Sequence, residues 1–170
     1  TLPLEKFGAK FSYKIKNKLP LTILGSQSIK SIKYLEDKGS AQCKSSVMFA
    51  ALNSSGTTFI KARKSRNHSE LLFKYLKIPI RIKKTKIYDF INIKQPKKIK
   101  AFNYQIPGDI SSSAFFIVLT TLTNNSSLLI KNVNINPSRI GVITILKKMG
   151  AKILLKKKEI IEVKKLLIFL

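Results

Sequence analysis

The sequence predicts an α/β chain built of duplicated βαβ-type units. Short period-two apolar runs alternate with segments of helical period. The order helix, strand, helix, strand occurs in both halves. Laid over each other, the halves bring Gly39 onto Gly108 and Ser65-Arg66 onto Ser138-Arg139, offsets of 69 and 73 that differ by one loop insertion. A chain of 170 residues, 44% hydrophobic, buries a core and fits one domain or two small ones.

The elements follow from local pattern. Phe11 to Lys16, Leu21 to Gly25 and Ser31 to Leu35 are period-two runs separated by Pro20 and a polar link, and read as strands. From Ser40 to Asn53 the period changes to helical, with Cys43, Val47, Met48, Ala50, Ala51 and Leu52 as apolar positions, and Ser54-Ser55-Gly56 ends the helix. Thr57 to Ala62 is a strand. Ser65 is expected to cap a helix to about Lys77, with Leu71, Leu72, Tyr75 and Leu76 as its core stripe. Ile80 to Lys83 and Lys86 to Ile91 return to strand. In the second half, Ile99 to Gln105 reads as a strand entering Pro107-Gly108. Asp109 or Ser111 caps a helix to about Thr123, and Leu128 to Val133 is a strand. Pro137 opens a helix to Met149, ended by Gly150, and Lys152 to Leu155 is a strand.

Charge narrows the function classes. Lys and Arg total 33 against 8 acids, a formal +25, a balance that points to nucleic acid, to an anionic membrane surface, or to a solvated lysine surface of the kind an AT-rich genome writes. Only Arg63, Arg66, Arg81 and Arg139 are arginines, whereas readers of base edges lean on the arginine fork. No helix-turn-helix, zinc finger or RNP-type aromatic motif occurs. One cysteine, Cys43, and one histidine, His68, exclude a disulfide framework and a His/Cys zinc cluster and suit a reducing, cytoplasmic setting. No apolar run reaches the roughly 18 residues of a membrane span, and the start lacks signal-peptide design. It also lacks an initiator Met, so the chain reads as processed or cut from something longer.

Chemistry concentrates at helix starts. Gly39-Ser40-Ala41-Gln42-Cys43-Lys44-Ser45-Ser46 lies where a strand feeds a helix. Small hydroxyl residues there leave backbone N–H groups outward, and the helix dipole favours an anion. Lys44 offers a point charge and Gln42 a neutral fork, although Ser40 is equally read as a plain N-cap. Lys64-Ser65-Arg66-Asn67-His68 is a second such start, with Arg66 able to clamp a phosphate beside Ser65. Two anion-ready starts in one βαβ unit can face one cleft. His68 is read as an exposed or satisfied side chain before a catalyst. Neither a G-x-x-x-x-G-K-[ST] loop nor a G-x-G-x-x-G fingerprint is present. No carboxylate pair for acid/base work and no triad around Cys43 can be assembled.

Several of these motifs, in order, carry a resemblance. Leu19-Pro20-Leu21-Thr22-Ile23 with Gly25, Ser40-Ala41-Gln42-Cys43-Lys44-Ser45 and Ser65-Arg66-Asn67-His68-Ser69-Glu70 resemble the middle of the EPSP synthase family, the 3-phosphoshikimate 1-carboxyvinyltransferases. The match continues through Pro107-Gly108-Asp109-Ile110-Ser111-Ser112-Ser113-Ala114-Phe115-Phe116, Asn132 to Gly141 and Met149-Gly150-Ala151, to about Leu155. The resemblance implies a fold of repeated βαβαββ units in two domains with an inside-out α/β arrangement. It implies transfer of the enolpyruvyl group of phosphoenolpyruvate to the 5-hydroxyl of shikimate 3-phosphate, with release of phosphate and without cofactor or metal. Matched motif by motif, Ser40 and Ala41 hold the 3-phosphate, Gln42 contacts the substrate ring and phosphoenolpyruvate, and Ser65 and Arg66 complete the clamp. Lys44 and His68 are possible contacts. Residues 1–104 then belong to the N-terminal domain and 105–170 to the C-terminal one, in a family that is usually monomeric.

The departures from the family are equally specific. Its members are about two and a half times as long, and the proton-transfer acid and most phosphoenolpyruvate ligands have no counterpart here, so the chain alone is expected to be inactive. The missing parts are expected on a longer reading frame or a second chain. Residues 156–170, lysine-rich and then apolar from Leu166 to Leu170, are expected to be an atypical tail. Two other readings stand beside this one. They are an enolpyruvyl transferase acting on UDP-N-acetylglucosamine and a basic nucleic-acid-binding domain; the preferred reading has neither nucleic acid nor membrane as partner.

Overall fold

In a computed structural model of the chain, residues 1–16 and 18–156 are described in full, and 160–164 as backbone. The chain divides into two compact units, Thr1–Ala101 and Phe102–Leu170.

The first unit opens with a short helix α1 (Leu2–Glu5) and a hairpin of β1 (Lys10–Tyr13) and β2 (Leu21–Leu24). There follow β3 (Lys33–Glu36), α2 (Ala41–Ala50) with a 3₁₀ turn (Ala51–Asn53), β4 (Thr57–Arg63), α3 (His68–Tyr75), β5 (Ile80–Lys84) and β6 (Tyr88–Lys94). The sheet order is β3-β4-β6-β5, with β3 and β4 parallel and the other neighbours antiparallel. Only the helix-bearing face of this sheet is buried, which imposes strict alternation. Thr58, Ile60 and Ala62 of β4 and Asp89, Ile91 and Ile93 of β6 point inward, while Phe59, Lys61, Arg63 and Phe90 face solvent. The inner residues meet Val47, Met48 and Ala51 from α2 and its turn, and Phe73 from α3.

The second unit repeats this order. A single parallel bridge, Gly108 to Val133, stands where a first strand would pair. Then come α4 (Ile110–Leu122), β7 (Ser127–Ile130), α5 (Gly141–Lys148), β8 (Lys152–Lys156) and β9 (Ile160–Lys164), in a sheet ordered β7-β9-β8. Ile110, Ile117, Val133, Ile143 and Ile153 form its core. With the bridge standing for the missing strand, both units read βαβαββ with the last strand inserted between the two before it. The internal repeat is therefore a repeat of topology as well as of motifs.

Several sequence expectations fail locally, for physical reasons. Ile99 to Gln105 forms no strand, and the pairing in this region is the single bridge at Gly108. The helix expected from Pro137 begins at Gly141, since Asn134 and Asn136 side chains accept the Asn136 and Ser138 N–H groups in polar turns ahead of it. The cap of α3 is Asn67, two residues after Ser65. Its inward face is Glu70 and Phe73, whereas Leu71 and Tyr75, expected inside, are 50% and 62% exposed. In α2 it is Lys44 that is buried and Cys43 that is exposed. The strand β9 lies in the stretch expected to be an atypical tail, and Leu166 to Leu170 lie outside the described residues. Among the described residues no helix is long and apolar enough to cross a membrane.

Candidate functional site

The loop from β3 into α2 is shaped by Glu36 and Gly39. The buried Glu36 carboxylate accepts the N–H groups of Lys38 (3.1 Å) and Gly39 (3.0 Å), pinning the loop. Gly39 has φ +73°, a left-handed conformation suited to glycine, and a Cβ there would meet the Lys64 carbonyl at 3.6 Å. The chain can therefore turn sharply and pass close to the segment that leads to α3. Ser40 then caps α2, its hydroxyl accepting the Cys43 N–H at 3.2 Å. Ala41 is half-buried and Gln42 exposed in the first turn of α2.

The two helix starts are joined side chain to side chain. Ser45 and Ser69 share a hydroxyl hydrogen bond of 2.6 Å between α2 and α3. The Lys44 ammonium, 1% exposed, donates to the Arg66 carbonyl at 2.8 Å and lies 2.6 Å from Glu70 Oε1. That last contact is an ion pair without hydrogen-bond alignment, and Glu70 Oε2 has no hydrogen-bond partner among the described residues. Glu70 and the buried Asp89 border one small cavity of about 20 Å³, enough for a single water. Ser40, Ala41, Gln42, Ser65 and Arg66 thus come together at two adjoining helix starts, whereas Lys44, a possible anion contact from sequence, is turned into the protein. His68 is the first residue of α3 and half-buried.

Two groups at this junction are left unused. The Ser65 hydroxyl is buried and has no partner among the described residues. The half-buried Arg66 likewise has no hydrogen bond or ion pair from its guanidinium among them. A buried hydroxyl left unpaired is costly, and a cation beside it, in front of outward N–H groups, makes an environment for an oxyanion. Nearby, burial, followed by Cys43, Glu36 and Asp37, raises the Tyr34 phenol above its ordinary 10.0, so it stays protonated at neutral pH.

The corresponding junction of the second unit is closed. Arg139 meets Asp109 Oδ1 at 3.1 Å and also donates to the Ser111 hydroxyl, joining the start of α4 to the turn before α5. Asp109 is at the same time the cap of α4, accepting the Ser111 N–H. Here the arginine is neutralised by its own unit.

With this geometry, comparison with known proteins is decisive. The family model of EPSP synthase (3-phosphoshikimate 1-carboxyvinyltransferase) matches residues 1–168. The chain belongs to the EPSP synthase family. The match extends past Leu155. The 3-phosphoshikimate 1-carboxyvinyltransferase of Petrotoga mobilis is 41% identical over 153 residues, which is 89% of this chain and 35% of that protein. That of Caldicellulosiruptor bescii is 41% identical over 156 residues, 90% of this chain and 36% of its own length. The chain thus spans about a third of the length of the curated relatives it matches. Among solved structures, EPSP synthase from Acinetobacter baumannii aligns with a TM-score of 0.77 at 31% identity, over 96% of this chain and 38% of that one. The fold is the α/β fold of this family, in part.

What sequence reading missed at the junction is its internal bracing. Glu36, Glu70 and the Ser45–Ser69 pair carry no sequence signal of a role, because a polar residue at a strand end or on a helix is expected outside. One signal was present: Lys44 lies one turn past Ser40, in step with the buried Met48 and Ala51.

Proposed function

We propose that this chain forms part of an enolpyruvyl transferase of the EPSP synthase type, and that its own contribution is the half-site for shikimate 3-phosphate. In the whole reaction the 5-hydroxyl of shikimate 3-phosphate adds to phosphoenolpyruvate through a tetrahedral adduct. Phosphate then leaves, and the enolpyruvyl ether remains. Ser40, Ala41 and Ser65 supply hydrogen bonds to the 3-phosphate, Arg66 supplies the opposing charge, and Gln42 reaches the ring and the phosphoenolpyruvate. Lys44 acts from beneath the site. On this reading residues 1–104 belong to the N-terminal, substrate-binding domain and 105–170 to the C-terminal domain of a cytoplasmic enzyme that works as a monomer or with the remaining parts on a second chain.

The observation that carries the proposal is the unpartnered Ser65 hydroxyl and Arg66 guanidinium beside the capped start of α2. The chain itself holds anions but does not turn them over. Of the carboxylates at the junction, Glu36 is held by loop amides and Glu70 is ion-paired with Lys44. Calorimetric titration with shikimate 3-phosphate at about 150 mM salt, where surface charge is screened within roughly 8 Å, tests the reading. Inorganic phosphate and a short oligonucleotide serve as controls. Saturable binding that prefers shikimate 3-phosphate supports it. Equal, salt-sensitive binding of every anion rejects it in favour of the overall charge.

A further inference from the structure

A buried lysine one turn into α2 is an unusual element for a site whose ligands sit on the surface. Lys44 is 1% exposed, yet its charged head lies between two partners on the other helix: the Arg66 backbone carbonyl at 2.8 Å and the Glu70 carboxylate at 2.6 Å. Burying an ion pair costs desolvation that hydrophobic packing would not. At this position Met would fill a similar volume without that cost. What Met cannot do is donate a hydrogen bond to a carbonyl. That carbonyl belongs to the residue whose guanidinium is free to take an anion, and the next residue, Asn67, is the N-cap of α3.

We propose that Lys44 and Glu70 form a positioning pair for the anion site: Lys44 fixes the Ser65-Arg66-Asn67 turn through the Arg66 carbonyl, and Glu70 holds the Lys44 ammonium in place. Neither side chain touches the ligand. The proposal deepens the reading of the site given above and rests on it for the identity of the anion. It explains why a lysine stands on an otherwise apolar inward face. It also explains why α3 turns Glu70 inward and leaves Leu71 and Tyr75 in solvent. The pair converts the distance between two helices into the aim of one arginine.

The test compares the wild type with Lys44→Met, Glu70→Gln and the apolar double variant Lys44→Met/Glu70→Met, titrating shikimate 3-phosphate and inorganic phosphate and following amide hydrogen exchange over residues 64–71. Lys44→Met is expected to lower affinity about tenfold to a hundredfold, the size of effect that slight misplacement of a binding group produces. It should also speed exchange in the turn. Glu70→Gln keeps the bond to the Arg66 carbonyl and should lose less affinity. The double variant should regain thermal stability, as apolar replacement of buried ion pairs often does, yet not affinity. Recovery of affinity together with stability in the double variant would overturn the proposal, as would unchanged exchange over residues 64–71 in Lys44→Met. If Lys44→Met does not fold, the double variant carries the comparison. If the wild type binds neither anion, the reading of the site's ligand fails. The exchange measurement then decides the positioning pair without it.

Discussion

The Arg66 guanidinium, like the Ser65 hydroxyl, is uncommitted among the described residues of the candidate site. The Arg66 carbonyl is engaged from beneath by Lys44. Replacing Arg66 by Ala should therefore leave the fold intact and weaken binding of shikimate 3-phosphate by about 1.5–3 kcal/mol, the worth of a hydrogen bond to a charged group. Calorimetry on the variant checks this, and unchanged affinity would remove Arg66 from the site. Ser40 behaves differently, because its hydroxyl already caps α2. Ser40→Ala should lower stability by about 1 kcal/mol as well as weaken anion binding, so a thermal melt separates the two variants. Tyr34 gives a pH prediction. A phenol whose folded pKa lies above its unfolded value stabilises the fold fully below about pH 10, and that contribution is lost as pH rises through the folded value. Alkaline melting of wild type should thus be steeper than that of Tyr34→Phe.

At the scale of elements, α3 shows where sequence reading holds and where it ends. Its existence and approximate extent follow from periodicity, but its rotation does not. The count of apolar residues favours a stripe of Leu71, Leu72, Tyr75 and Leu76, whereas the structure buries Phe73 and Glu70. The deciding contact, Lys44 to Glu70, spans 26 positions of sequence, and no local pattern reports it. The same holds for the stretch from Ile99 to Gln105, which has strand composition but takes no place in a sheet. By contrast β4, whose alternation is enforced by burial of one face, is legible to within one residue, and β6 is legible as a strand although it starts two residues later and ends three residues later than the pattern suggests. Phe73→Ala, which removes a fully buried ring that meets Phe49 edge-on at 5.4 Å, should cost about 3–5 kcal/mol. Leu71→Ala on the exposed side should cost well under 1 kcal/mol. Chemical denaturation of both variants tests the observed rotation directly, since the stripe read from sequence predicts Leu71 as a core loss.

For the molecule as a whole, the motifs at the helix starts announced the family, and the repeated βαβ order announced the class of fold. Charge alone chooses no partner, because a formal +25 says more about the surface than about what meets it. In the first sheet the strand acids Glu36 and Asp89 point inward, and Lys61 and Arg63 outward, so the net charge resides where it repels itself. Added salt should therefore raise the melting temperature. A scan from low to physiological ionic strength checks this, and a flat or falling trend would mean that ion pairs govern stability instead.

The two junctions of the repeat also differ in what their arginines meet. Each unit has an arginine ahead of its second βαβαββ helix, and in the second unit a carboxylate at the preceding helix cap pairs with it. In so basic a chain, an anion meets attraction almost everywhere and needs an address more than a pull. Asp109 supplies part of that address by subtraction: by pairing with Arg139 it makes the second junction a structural joint, whereas the Arg66 guanidinium of the first has no such partner among the described residues.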